Sequence, residues 1–160
     1  MTFTHLDESG QARMVDVTEK QPTVRSATAT GLVRCAEHVV AALRDGSVPK
    51  GDVLAVARVA GIAGAKRTPQ LLPLAHVIGV HGAVLDAEIT DEGVALTATV
   101  RTADRTGVEM EALTAVSVAA LNVVDMVKGL DKATSIEQVR LIRKTGGKSG
   151  DWHRPHHPSR

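Results

Sequence analysis

The chain has 160 residues, a size at which one domain buries about 68–70% of the surface its unfolded form exposes. Its 19 Lys and Arg against 18 Asp and Glu leave a formal net charge of +1, which excludes a nucleic-acid binder held by a basic field. Aromatic residues are 1% of the chain and Cys35 is its one cysteine, so the core must be aliphatic, and an internal disulfide or a CxxC redox or zinc motif is excluded.

The opening "MTFTHLDESGQ" has neither the basic region nor the apolar run of a signal peptide. "ARMVDV" (12–17) reads as a short extended segment, and the β-branched "TVRSATATGLV" (23–33) as a strand. "RCAEHVVAALRDG" (34–46) has apolar residues at helical spacing and ends on Gly46, suited to a C-terminal cap. "DVLAVARVAGIAGAKR" (52–67) predicts a second helix, with Asp52 at its N-cap and Lys66 and Arg67 at the negative end of its dipole. "VIGVHGAVLDAEIT" and "GVALTATVRTA" flank Asp91-Glu92-Gly93 and predict a β-hairpin. A long helix follows, with Thr106 and Glu109 at the spacing of a capping box and Gly129 as its stop. "SIEQVRLIRK" (135–144) alternates imperfectly and is read as the last strand.

This order predicts an α+β fold, a ferredoxin-like βαββαβ sandwich with an additional helix. Residues 1–152 are expected to form a single domain, and 153–160, "HRPHHPSR", a mobile tail. The apolar stretches around 53–65 and 113–124 are broken by Arg58, Gly61, Ser117 and Asn122, and fall short of the roughly 20 residues of a membrane span. A cytoplasmic protein without a membrane or nucleic-acid partner is expected.

The long helix raises the main chemical question. Ala112, Val116, Ala119, Val123 and Val127 follow one face, while Leu113, Ala120 and Val124 widen it almost to the full circumference. A helix apolar all round is buried on more than one side, here by a sheet and a second subunit. Yet Glu109, Glu111, Asp125 and Lys128 travel with it. Asp125 and Lys128 are three apart and share a face, as an ordinary ion pair also would. Lys50 precedes a helix N-terminus, where it is either an anion contact or a solvated loop lysine. His76 sits among apolar residues, as a core histidine would, and His81 has no evident partner. "GGKSG" lacks the first glycine of a Walker loop, Ile142 standing there, and no helix follows. His153, His156 and His157 offer no rigid metal geometry on a tail.

Taken together, "MVDV", "KGDVLAVARVAGI", "GAKRTPQLLPLAH", "RTGVEMEALTAVSVAAL", "DMVK" and "KTGGKSG" occur in the order and spacing of one known family. From about Thr4 to Trp152 the chain resembles the cyclic pyranopterin monophosphate synthases, the MoaC family of molybdenum cofactor biosynthesis. The resemblance implies a lyase that converts a cyclised dihydroguanosine triphosphate, supplied by a radical GTP cyclase, into cyclic pyranopterin monophosphate and pyrophosphate. It implies Asp125, Lys128 and Lys144 as catalytic residues, Asp125 as general base and Lys128 as proton donor or charge stabiliser. It implies Lys50, Leu74, Ala75, His76, Glu109, Met110, Glu111 and Lys148 as substrate contacts. It further implies a homohexamer, a trimer of dimers with sites near subunit interfaces. No resident cofactor or metal is implied, magnesium being only a natural companion of the triphosphate.

Two positions depart from the family pattern. Ala75-His76-Val77 stands where Cys-His-Pro is common, and Val124 where an aromatic usually precedes "DM". Neither touches the proposed acid–base groups. The competing class is a ligand-binding ferredoxin-like oligomer without catalysis, which would need no acid–base pair and no set of lysines.

Overall fold

The structure is a computed structural model and describes residues 4–156. Its elements are β1 (Thr23–Arg34), α1 (Glu37–Asp45), α2 (Val53–Lys66), α3 (Thr68–Leu71), β2 (Gly82–Thr90), β3 (Gly93–Asp104), α4 (Glu109–Val127), β4 (Ser135–Thr145) and β5 (Trp152–His153). The strands form one antiparallel sheet in the order β2-β3-β1-β4-β5. Its first four members, read from β4, follow the ferredoxin-like order, so the expected α+β fold is the one observed.

Period-two alternation decides which face of the sheet is covered. Ala27, Ala29 and Val33 of β1 and Val94, Leu96, Ala98 and Val100 of β3 are buried. Ser26, Thr28 and Thr30 alternate with them on the other face. α4 lies across the apolar face at close range, since a Cβ on Gly31 would come within 2.6 Å of Val116 Cγ1. Among the described residues no aromatic ring enters this core, and small residues take over the work of packing.

The same holds where α2 meets α4. A Cβ on Gly61 would lie 2.9 Å from the Ala115 carbonyl oxygen and 2.3 Å from Leu85 Cδ1. One on Gly64 would lie 2.9 Å from Val118. Leu85 can shift, but the backbone carbonyl of a helix cannot. Gly61→Ala is therefore expected to cost about 1–3 kcal/mol through overpacking, despite alanine's better helix propensity. A denaturant midpoint equal to or above that of the parent would refute this packing.

Several local expectations are met. Asp52 caps α2, its carboxylate accepting from the Ala55 N–H at 3.0 Å, and Gly46 closes α1 at φ 72°. The hairpin turns on Asp91-Glu92, and Gly93 (φ 138°) must be glycine because a Cβ would fall 1.9 Å from the Val33 carbonyl oxygen.

Others are corrected. α4 begins at Glu109 with Val108 as N-cap and no side-chain cap bond. The Thr106–Glu109 capping box does not form, because the Glu109 carboxylate is engaged by Lys144 instead. The helix ends at Val127, capped by Lys128 rather than stopped by Gly129. Residues 12–17 form no strand; a single bridge joins Ala12 to Leu6. The segment 77–81 precedes β2 as irregular chain. His81 has partners after all, its Nδ1 accepting from the Ala103 N–H at 3.0 Å.

The imperfect alternation of β4 has a physical cause. Its register against β1 shifts between Thr28 and Ala29 and again between Thr30 and Leu32, where Gln138 adopts φ 54°. Such bulges rotate successive side chains off a strict two-residue period. The chain after Gly150 then returns as β5, and the Arg154 N–H donates to the Ile142 carbonyl at 2.9 Å. Residues 153 and 154 thus belong to the sheet edge. His157 lies outside the described residues. α4 is long and apolar enough to cross a membrane by length and composition, beyond what the broken apolar run predicted, and half of it is buried inside the fold.

Candidate active site

Two polar clusters stand at opposite ends of α4. At its C-terminal end, Asp125 is held between two lysines. Lys128 Nζ lies 2.8 Å from Oδ1, and Lys50 Nζ lies 3.1 Å from Oδ2. Lys50 also donates to the Asp125 backbone carbonyl at 3.0 Å. Lys50 reaches this position because the loop before α2 runs past the end of α4. It is therefore not a freely solvated loop lysine. The three side chains are about half exposed in the single chain, so as a surface triad they add little to stability. The hydrogen bonds from Lys128 and then Lys50 hold the Asp125 carboxyl below the usual carboxylate range.

At the N-terminal end, a cavity of about 510 Å³ opens between the loop that follows α3 and the first turn of α4. Leu74, Ala75 and His76 line it on one side, and Glu109, Met110 and Glu111 on the other. His76 Nε2 is hydrogen-bonded to the Val15 carbonyl. Lys144, reaching in from β4, pairs with Glu109 Oε1 at 3.2 Å and donates to Ser149 Oγ at 2.9 Å. Lys148, in the loop beyond β4, is exposed. Val77, one of the positions departing from the family pattern, is 86% exposed and does not line the cavity.

Glu111 is the one carboxylate that α4 buries, at 4% exposure. Burial, reinforced by the nearby Glu109 charge and opposed by a hydrogen bond to its own backbone, raises its pKa to about 7. This places a titrating group at the cavity wall near neutral pH, the property a proton-transfer residue needs.

It also has a consequence for stability. Between the ordinary glutamate value of 4.5 and about 7, the folded state holds a proton that the unfolded state has lost. Stability from this group is full below 4.5 and falls as pH rises through 7. Glu111→Gln is expected to remove that loss, stabilising the protein at pH 8 by about 1–3 kcal/mol and changing it little at pH 4. Equal effects at both pH values, read from denaturant titrations, would contradict it.

The structure thus brings the predicted residues together as two groups. Lys50, Asp125 and Lys128 form one, and Leu74, Ala75, His76, Glu109, Met110, Glu111 and Lys144 the other. Glu111 and Asp125 are fourteen residues apart on one continuous helix, a separation of about 21 Å. Arg25, beside the loop that carries Lys148, escaped the sequence reading. Its signal was there: the period of two puts a charged residue on the same inward face as Ala27 and Ala29.

The chain is similar in sequence to several bacterial proteins along nearly its whole length. A cyclic pyranopterin monophosphate synthase of Streptomyces coelicolor is 64% identical over 152 residues, 95% of this chain and 89% of that one. One of Nocardioides is 62% identical over 156 residues, 96% of each chain. One of Geobacter sulfurreducens is 53% identical over 157 residues, 96% of this chain and 98% of that one. The model of the MoaC family matches residues 14–147, a span that holds both ends of α4 and Lys50, Lys128 and Lys144 of the two clusters, and the chain belongs to that family.

Proposed function

We propose that this chain is a cyclic pyranopterin monophosphate synthase, a lyase of molybdenum cofactor biosynthesis. Its substrate is 3′,8-cyclo-7,8-dihydroguanosine 5′-triphosphate, the product of a radical GTP cyclase, and it releases pyrophosphate. The observation that carries this reading is Asp125 clasped by Lys50 and Lys128, in a chain 64% identical to a protein of that name. The test is turnover of the cyclised triphosphate, followed by oxidation of the product to a fluorescent pterin. Binding without turnover would favour a non-catalytic ligand-binding oligomer.

The reaction rebuilds a ring and closes a cyclic phosphate, so it needs proton transfers and neutralisation of phosphate charge. Asp125 is ionised at neutral pH and able to accept a proton. Its two lysine partners depress its basicity, so it gains strength as a base when Lys50 or Lys128 turns toward phosphate oxygens. Glu111, titrating near neutrality, supplies a second proton relay at the other end. No resident metal is assigned, and magnesium would enter only as a companion of the triphosphate.

The two clusters are joined by assembly. Val56 and Val59 of α2 and Leu121 of α4 are 42%, 70% and 58% exposed on the outer helical face, an apolar strip between the clusters. A second copy laid against it about a two-fold axis perpendicular to α4 sets that helix antiparallel to its mate. The Glu111 end of one chain then meets the Asp125 end of the other. Three such dimers make the expected hexamer, a cytoplasmic enzyme with sites at its interfaces.

A further inference from the structure

The cavity at the N-terminal end of α4 has two walls from separate parts of the chain. One is residues 72–76, in the irregular stretch between α3 and β2. The other begins with Thr106 and Gly107, in the short connection between β3 and α4, and runs on into Glu109, Met110 and Glu111. The first wall has little of its own to hold it. Among the described residues, 76–78 make no backbone hydrogen bond, and Val77 is almost fully exposed. Chain of this kind opens at low free energy unless something pins it.

The pin is at Gly79, where the end of β3 takes hold of both backbone groups. The Gly79 N–H donates to Asp104 Oδ2 at 3.0 Å, and its carbonyl accepts from Thr102 Oγ1 at 2.6 Å. Thr102 is buried, so its hydroxyl needs a protein partner, and that partner is the loop. Two residues on, the His81 N–H donates to the Arg101 carbonyl at 3.0 Å, and His81 Nδ1 accepts from the Ala103 N–H at 3.0 Å. The Asp104 carboxylate also reaches the second wall. Its Oδ1 accepts from the Arg105 N–H at 2.8 Å, one residue before Thr106. The hydrogen bonds from Gly79 and then Arg105 hold its carboxyl below the usual carboxylate range, so it stays ionised and both bonds are charge-assisted. Farther out, Arg105 Nε donates to the Lys20 carbonyl at 2.9 Å, and His76 Nε2 is bonded to the Val15 carbonyl. Both walls therefore also grip the segment 15–20.

We propose that Asp104, together with Thr102, is a positioning residue that sets the width of the cavity, by tying the loop of Leu74, Ala75 and His76 to the turn that leads into α4. Neither side chain lines the cavity, so each acts through the walls it joins and not on a ligand. A wall fixed before binding spares the ligand the cost of ordering it. That the ligand is the cyclised triphosphate rests on the function proposed above; the clamp itself does not.

The test reads KM and kcat separately in the full-length protein. Asp104→Ala is expected to raise KM for the cyclised triphosphate about tenfold or more and to change kcat by less than about threefold, because the Lys50–Asp125–Lys128 cluster is untouched. Asp104→Asn, which keeps one acceptor oxygen, should fall between. Thr102→Val should raise KM in the same way, and Thr102→Ser, which restores the hydroxyl, should bring it back toward the parent. A merely structural role would shrink the folded fraction, lowering apparent kcat at unchanged KM, and that result would overturn the proposal. Amide hydrogen exchange decides without turnover, and on the parent alone should the variants not fold. After correction for intrinsic rates, the Gly79 amide is expected to exchange about tenfold or more slowly than those of Val77 and Ile78, and in folded Asp104→Ala as fast as they do. A Gly79 amide as fast as its neighbours in the parent would overturn the clamp. Protection at Gly79 in a parent without pterin turnover would count against the proposed reaction and leave the clamp standing.

Discussion

Asp125→Asn is expected to lower kcat by about 10²–10⁴-fold while the protein folds and assembles as the parent does. Asparagine keeps the shape and one acceptor oxygen for Lys128, while Lys50 keeps its bond to the backbone carbonyl of residue 125, so the geometry at the end of α4 survives. What it loses is the negative charge and the capacity to take a proton. Because the three side chains are half exposed, little folding energy depends on them, and the thermal midpoint should move only slightly. Lys128→Ala should act in the same direction. Lys50→Ala should raise KM and also lower kcat, since Lys50 both attracts anions and holds Asp125 through two hydrogen bonds. Near-normal kcat in Asp125→Asn would remove the carboxylate from the chemistry. Loss of folding would make it a structural ion pair.

The second large effect concerns who supplies the site. Glu111→Gln and Asp125→Asn proteins, each nearly inactive alone, should regain activity when unfolded together and reassembled. About 21 Å of helix separates the two carboxylates, so one reacting atom cannot touch both within a chain. If a site takes Glu111 from one subunit and Asp125 from its two-fold mate, random mixing leaves about a quarter of the sites with both groups intact. Recovery near that fraction would establish sharing. Mixed oligomers, confirmed by mass and still inactive, would place the working groups in a single chain.

How much of this was legible in the sequence depends on how local each cause is. The ferredoxin-like order was readable because β1 and β3 alternate with a period of two, α1 and α2 carry their caps at Gly46 and Asp52, and α4 is a long apolar run. The Thr106–Glu109 pattern misled for the opposite reason. Its spacing is that of a capping box, but a lysine from β4, distant in sequence, took the carboxylate. β4 blurred its own period through two bulges whose positions are set by its partner strand. Likewise, Asp125 and Lys128 could be paired from spacing alone, whereas Lys50 joins them across 75 residues. Arg25 was hidden in plain alternation, since a strand's inward face was assumed apolar. The raised pKa of Glu111 was beyond reach, because burial is a property of packing.

The edge strand β5 gives the molecule a built-in optical reporter. Trp152 is the only tryptophan and the chain has no tyrosine, so nearly all near-ultraviolet absorbance and emission come from one ring. That ring is 38% exposed, pairs in register with Lys144 and lies 5.8 Å from the Arg154 guanidinium. Emission therefore watches the rim of the sheet and is blind to the aliphatic interior, while far-ultraviolet dichroism follows α2 and α4. The two signals will share one denaturation midpoint only if rim and interior melt as a single cooperative unit. An earlier midpoint in emission would mean that the strand beside Lys144 peels away first, at a free energy below that of global unfolding.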